Sequence, residues 1–228
     1  MTAFLFNDDF RRELMASPHH HGEVTFLESV LAPGMVVIEG GANRGVTAVA
    51  VARAVGATGH VHAFEPIPEY FEALQANLAG NGVENATAHR LALSDRTGCL
   101  SFHKNGEGSG IVSSEGAEAI EVDAITLVRF VEDYGVSRVD FVNLDCEGSE
   151  LSVLRSAKAW LEAGHPPIFC EVHRPYLEAL GQSVAGIVEF LAGIGYVVDP
   201  IQAEDLASPS TFETCSHIHA HVPTGRGA

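Results

Sequence analysis

Four acidic residues close four short apolar runs. Glu39 follows Met35–Ile38, Glu65 follows His60–Phe64, Asp145 follows Val139–Leu144 and Glu171 follows Pro167–Cys170. In an open α/β sheet, ligands bind beyond the carboxyl ends of the strands, so this pattern predicts a single acidic site. After the first run comes Gly40-Gly41-Ala-Asn43-Arg-Gly45. A dinucleotide-binding turn needs G-x-G-x-x-G, and Asn43 occupies the position two before Gly45, so the spacing does not fit. Glu39 would also repel a phosphate there. Gly41 permits a tight turn, and Gly45 permits close approach of a ligand or a helix N-terminus. An acid before such a turn suits a positively charged amine. Glu65, 20 residues after Gly45, suits the two hydroxyls of a ribose. Amine-binding acid, glycine turn and ribose acid together meet the needs of S-adenosylmethionine.

Displacing a methyl group from a sulfonium requires an aligned nucleophile and, for an alcohol, a proton acceptor. Asp145 is the first candidate for that task. Glu147, two residues on, either shares it or caps the following helix. His173, just after Glu171, is the second base candidate, because imidazole titrates near neutral pH. Asp145, Glu171 and His173 could also jointly hold a divalent ion such as Mg²⁺. Two further histidine groups stand out. His217, His219 and His221 alternate with Ile218, Ala220 and Val222, which reads as the polar face of a closing strand, with metal binding as the alternative. The run His19-His20-His21 reads as a solvated segment ahead of a helix, or as a lid over the site.

The elements that must position these residues alternate between strand and helix. Strands are expected at 35–38, 60–64, 87–93, 139–144, 167–171 and 196–198, and helices at 24–31, 46–55, 67–78, 125–134, 150–162 and 183–193. Residues 99–103 and 119–122 read as an added β-hairpin with a mobile Gly/Ser-rich tip, Asn105–Gly116. The expected fold is a doubly wound, mostly parallel α/β sheet in a single domain over 1–228. It divides into an N-terminal helical or lid segment (1–30), a core (31–200) and a C-terminal strand and tail (201–228).

Val37-Ile-Glu-Gly-Gly-Ala-Asn-Arg-Gly45, Phe64-Glu-Pro66, Leu91-Ala-Leu-Ser-Asp95 and Val139 to Glu150 resemble the FkbM family of class I S-adenosylmethionine-dependent methyltransferases. Two positions depart from the family pattern: Glu39 stands where Asp is usual, and Asn143 where Lys is common. The resemblance implies a Rossmann-like seven-stranded sheet of order 3-2-1-4-5-7-6. It also implies cofactor contacts from Glu39, Gly40, Gly41, Asn43, Gly45, Glu65, Pro66, Leu93, Ser94 and Asp145. The implied reaction is O-methylation of a hydroxyl on a sugar or secondary metabolite. N-methylation of a small amine and non-catalytic binding of S-adenosylmethionine are the alternatives.

Composition sets the remaining expectations. The net charge is −17 over 228 residues, which disfavours nucleic acid or an anionic membrane as partner. A small-molecule acceptor is expected, with self-association left open. Cys99, Cys146, Cys170 and Cys215 form no C-x-x-C pair. With no apolar run long enough to span a bilayer and no secretory start, a cytoplasmic protein is expected.

Overall fold

The computed structural model describes residues 4–6, 17–104, 108–112 and 117–223. The elements in chain order are α1 (Pro18–Val30), β1 (Val36–Gly40), α2 (Val46–Val55), β2 (His60–Phe64), α3 (Pro68–Gly80), β3 (Ala86–His89), β4 (Ala92–Leu93), β5 (Gly98–Lys104), β6 (Glu118–Ile125), α4 (Leu127–Asp133), β7 (Phe141–Leu144), α5 (Glu150–Ser156), α6 (Lys158–Gly164), β8 (Ile168–Glu171), α7 (Arg174–Ala179), α8 (Val184–Gly193), β9 (Val197–Ile201) and β10 (His217–His221).

Seven strands form the main sheet in the order β3-β2-β1-β7-β8-β10-β9, with β10 antiparallel to both its neighbours. Counting only these strands, this is the expected order 3-2-1-4-5-7-6. The central strands are buried on both faces, as their continuous apolar runs require. Val37, Phe141 and Phe169 pack with Leu27, Val49 and Leu74 from α1, α2 and α3. On the opposite face, Ile38, Val142, Ile168 and Cys170 pack with Phe130, Leu154, Leu161 and Ile187.

The expected added hairpin is present as β5 and β6, and it recruits β4 into a second, three-stranded sheet of order β4-β6-β5. The single strand expected over 87–93 is therefore two strands. β3 ends at His89 in the main sheet, and Ala92–Leu93 pairs with Ala124–Ile125. The helix expected over 150–162 breaks at Ala157, whose N–H donates to the Leu154 carbonyl in a tighter turn. Of the tip, 105–107 and 113–116 lie outside the described residues; Gly110 pairs with His103 as an extension of the hairpin.

The His19-His20-His21 run is not a segment ahead of a helix. It lies in the first turns of α1, because Pro18 starts the helix there. The helix lies against the 3-10 turn Ala203–Asp205 so closely that a Cβ on Gly22 would sit 1.5 Å from the Ala203 carbonyl oxygen. Phe26 stacks on Phe169 at 4.4 Å. The expected C-terminal strand is present as β10, but its histidine face is covered: His217 stacks on Phe169 at 4.5 Å and His219 meets Phe26 edge-on.

Gly22→Ala should force α1 away from this turn. A loss of about 1–3 kcal/mol, the usual cost of overpacking, is expected in urea unfolding, and an unchanged midpoint would show that α1 docks differently.

Candidate active site

Register brings the acidic strand ends together. Glu39 of β1 lies beside Ala63 of β2 and Asn143 of β7, and Gly40 lies beside Phe64 and Leu144. The turns that follow interlock. The amides of Gly41 and Ala42 donate to the Phe64 carbonyl, and the Asp145 amide donates to that of Gly40. Gly41 has φ +84°, and a Cβ there would stand 1.8 Å from the Asp145 carbonyl oxygen. Only glycine allows these two turns to touch.

Two cavities meet at this crossing, sharing Gly41, Asn43, Asp145 and Glu147. The first is narrow, about 40 Å³, with Glu65 among Pro66, Ile67, Leu93 and Phe102. Glu65 is buried and held by two backbone amides, Asn43 N at 2.9 Å and Ile67 N at 2.8 Å, one on each carboxylate oxygen. Its orientation is fixed before any ligand arrives, and each oxygen keeps a further acceptor direction. Burial pushes its pKa up to about 7. Phe102 of the second sheet and Ser109 of its tip line the same space.

The second cavity is about 470 Å³ and lined by charge: Glu23, Glu39, Asp145, Glu147 and Glu171, with His19, His20, His173 and Arg44. Glu39 is 1% exposed. The Thr47 hydroxyl donates to its Oε1, while Oε2 has no hydrogen-bond partner. Burial pushes this carboxyl up to about 8. An unsatisfied buried carboxylate oxygen beside the glycine turn fits the ammonium group of S-adenosylmethionine, and Glu65 fits its ribose. When bound, that cofactor would lie across Gly41, held by Glu39 and Glu65.

His173 stands among four carboxylates. Its Nε2 is 3.3 Å from Glu147, 3.4 Å from Glu171 and 3.6 Å from Asp145, and its Nδ1 is 3.5 Å from Glu150. Burial opposes its charge, but Glu150 and Glu171 outweigh burial and push the imidazole up to about 12. His173 is thus a proton donor at neutral pH, not the free imidazole expected of a base. Asp145 moves upward through burial and the charge of Glu171. Glu171 is pushed up by burial, yet hydrogen bonds from His173 and His19 hold it well below the usual carboxylate range. Glu147 and Gly148 both have positive φ, 50° and 96°, which curls the chain after β7 and turns Glu147 back onto His173. Glu150 accepts from the amides of Cys146 and Gly148, which lie ahead of the helix, and so holds the turn rather than capping α5.

Three of the expected contact residues line neither cavity. Gly40 packs against Leu93 and Cys146, Gly45 packs against Leu74, and the Ser94 hydroxyl donates to Asp95. For a metal, Asp145, Glu147 and His173 offer ligand atoms within 4.8 Å of one another, so Glu147 completes the triad in which Glu171 was expected. Glu171 lies between His173 and His19. Sequence reasoning missed Glu23 and Tyr176 as lining residues. For Glu23 a signal existed: His19 and Glu23 are four apart and share a helix face.

The methyltransferase FkbM domain model matches residues 39–198. Among curated proteins no sequence matches the chain. The fold is similar to methyltransferase FkbM from Methylobacillus flagellatus KT, at 16% identity and TM-score 0.52. That match covers 94% of this chain and 55% of the other, so the chain spans little over half of that protein. It is similar over 96% of its length, and all of the other's, to a SAM-dependent methyltransferase from Aquifex aeolicus, at 16% identity and TM-score 0.54. A provisionally assigned rRNA methylase from Clostridium thermocellum matches at 12% identity and TM-score 0.50, covering 89% of this chain and 95% of its own. At these identities the likeness is one of fold, and it leaves the expected exclusion of nucleic acid without support.

Two outcomes test the cofactor contacts. Glu65→Ala should weaken S-adenosylmethionine binding at least about tenfold, since a hydrogen bond to a charged group is worth ~1.5–3 kcal/mol; an unchanged Kd would remove Glu65 from the site. Glu39, its carboxyl pushed up to about 8, is mostly protonated in the free protein near pH 7, and a bound ammonium favours the ionised carboxylate. Binding at pH 7 should therefore release protons, read from calorimetric heats in buffers of different ionisation enthalpy. Glu39→Gln should cut the release by about one proton, and buffer-independent heats for the unsubstituted protein would refute the assignment.

Proposed function

The chain belongs to the FkbM methyltransferase family, and on that premise we propose that it transfers the methyl group of S-adenosylmethionine to a hydroxyl oxygen of a small molecule. One observation carries the choice of site: Asp145 stands where the two cavities meet, with Oδ1 buried and without a hydrogen-bond partner. When bound, the cofactor supplies an electrophilic methyl on a sulfonium. Glu65 and Glu39 would hold its two ends in the two cavities and so bring the methyl to Asp145. There Asp145 would accept the hydroxyl proton as the hydroxyl oxygen takes the methyl group. Its raised pKa makes the carboxylate a better proton acceptor than an exposed aspartate. His173, held protonated, fixes Glu147 and Glu171 and offsets their charge, so it is a positioning residue.

The acidic cavity disfavours a phosphorylated or carboxylated acceptor and supports a neutral polyol or glycoside. The same carboxylates would also bind an ammonium, which makes N-methylation the second reading. An amine must shed its proton before attack, so its rate would climb with pH towards the amine's own pKa.

Asp145→Asn should keep S-adenosylmethionine affinity within a few-fold and lower transfer of labelled methyl by ~10²–10⁴-fold, the range of a lost general base. Retention of full kcat would show that Asp145 is not the proton acceptor. If Asp145, Glu147 and His173 instead hold a divalent ion, EDTA abolishes turnover in the unsubstituted enzyme and Mg²⁺ restores it.

A further inference from the structure

A second cluster lies in the wall of the large cavity, away from Asp145. His19 and Glu23 project from one face of α1, and His217 projects from β10; their ligand atoms lie within 4.8 Å of one another. Glu171 of β8 adjoins them, with Oε1 3.2 Å from His19 Nε2 and Oε2 3.8 Å from His217 Nε2. Both imidazoles are oriented alike. His19 Nδ1 is bonded to Glu204 at 2.9 Å and His217 Nδ1 to the Ser216 hydroxyl at 3.1 Å, which leaves each Nε2 turned towards the same carboxylate. His217 is 1% exposed, and its Nε2 is buried without a hydrogen-bond partner. Glu23 is 6% exposed.

We propose that His19, Glu23, His217 and Glu171 bind a first-row divalent transition-metal ion, with Zn²⁺ as the best fit. Two imidazoles and carboxylates suit Zn²⁺ and its neighbours, whereas Mg²⁺ prefers oxygen donors and water. His19 and His217 approach different oxygens of Glu171, at 3.2 and 3.8 Å, and the His19, Glu23 and His217 donor atoms lie close enough together to share one ion. Glu204 on the far nitrogen of His19 supplies the carboxylate–histidine pairing that orients metal-ligating imidazoles. The donors come from α1, β8 and β10, so a bound ion would tie the helix to the sheet and fix the cavity wall. The assignment is independent of the methyl-transfer reading.

Chelator-treated protein titrated with Co²⁺ should show visible d–d absorption saturating at one equivalent. Zn²⁺ should displace it and raise the melting temperature. His19→Ala and Glu23→Gln, each confirmed as folded by circular dichroism, should weaken binding at least about tenfold, while Asp145→Asn binds like the unsubstituted protein. Absence of saturable binding would overturn the proposal, as would binding that survives both α1 substitutions. Binding lost in Asp145→Asn but kept in His19→Ala would place the ion at Asp145, Glu147 and His173 and overturn it too.

Discussion

The structure depends on how carboxylates converge at one end of the sheet without driving it apart. Glu23, Glu39, Asp145, Glu147 and Glu171 line a single cavity, and Glu150 lies fully buried behind them. Two unit charges 4 Å apart interact by roughly 1 kcal/mol in water and about 4 kcal/mol at a protein surface. Five ionised groups in one cavity would therefore be untenable. The molecule divides the burden. Glu39 shifts towards the protonated form, while Glu171 stays ionised between His19 and His173. His19, held by Glu171 against the cost of burial, is pushed up to about 9. The imidazolium groups keep the cluster together, and the groups left protonated or unsatisfied are the ones facing the space a cationic ligand would fill.

Backbone geometry makes that convergence unavoidable. β1, β7 and β8 end level with one another, and the Gly41 turn lies directly against the Asp145 turn. Glu65 is clamped between the Ile67 amide of its own turn and the Asn43 amide of the glycine turn after β1, and Glu150 holds the chain curled after Asp145. The floor of the site therefore consists of strand ends and tight turns with little freedom to relax. The walls are different. α1 and the second sheet arrive from distant parts of the chain, and they approach through glycines: Gly22 on Ala203, Gly108 on Tyr176 and Gly110 on Glu147.

This division explains what could be read from the sequence. Strand ends carry a local signal, an apolar run followed by an acid and a turn, so the meeting of Glu39, Asp145 and Glu171 in one cavity, with Glu65 in the adjoining one, was legible. The sheet order was legible through the family that the ordered motifs resemble. The walls carry no such signal. Nothing local in Pro18–Val30 says that His19 faces Glu171 rather than water, because that contact is set by α1 docking on residues nearly two hundred positions later. The protonation of His173 was also illegible, since it needs Glu147, Glu150 and Glu171 around one ring. The positive φ at Glu147 and Gly148 was illegible too, and it sets where the Glu147 side chain lies.

An acidic, partly protonated site also bears on turnover under the proposed reaction. The sulfonium of the cofactor is positive and the thioether left after transfer is neutral, while the rest of the molecule is unchanged. Carboxylates that attract the first gain nothing from the second at sulfur. At an effective dielectric of about 20, one carboxylate about 4 Å from the sulfonium contributes roughly 4 kcal/mol of attraction that vanishes with the transferred charge. Much of that is offset by the cost of burying the carboxylate, as the raised pKa values of Glu39 and Asp145 show. What survives favours the charged cofactor over its spent form and promotes product release. A phosphate-binding nucleotide turn could not discriminate in this way, because its ligand keeps its charge through the reaction. Under the proposed reaction that discrimination falls to Asp145, next to the transferred methyl, while Glu39, set against an ammonium that keeps its charge, serves binding alone.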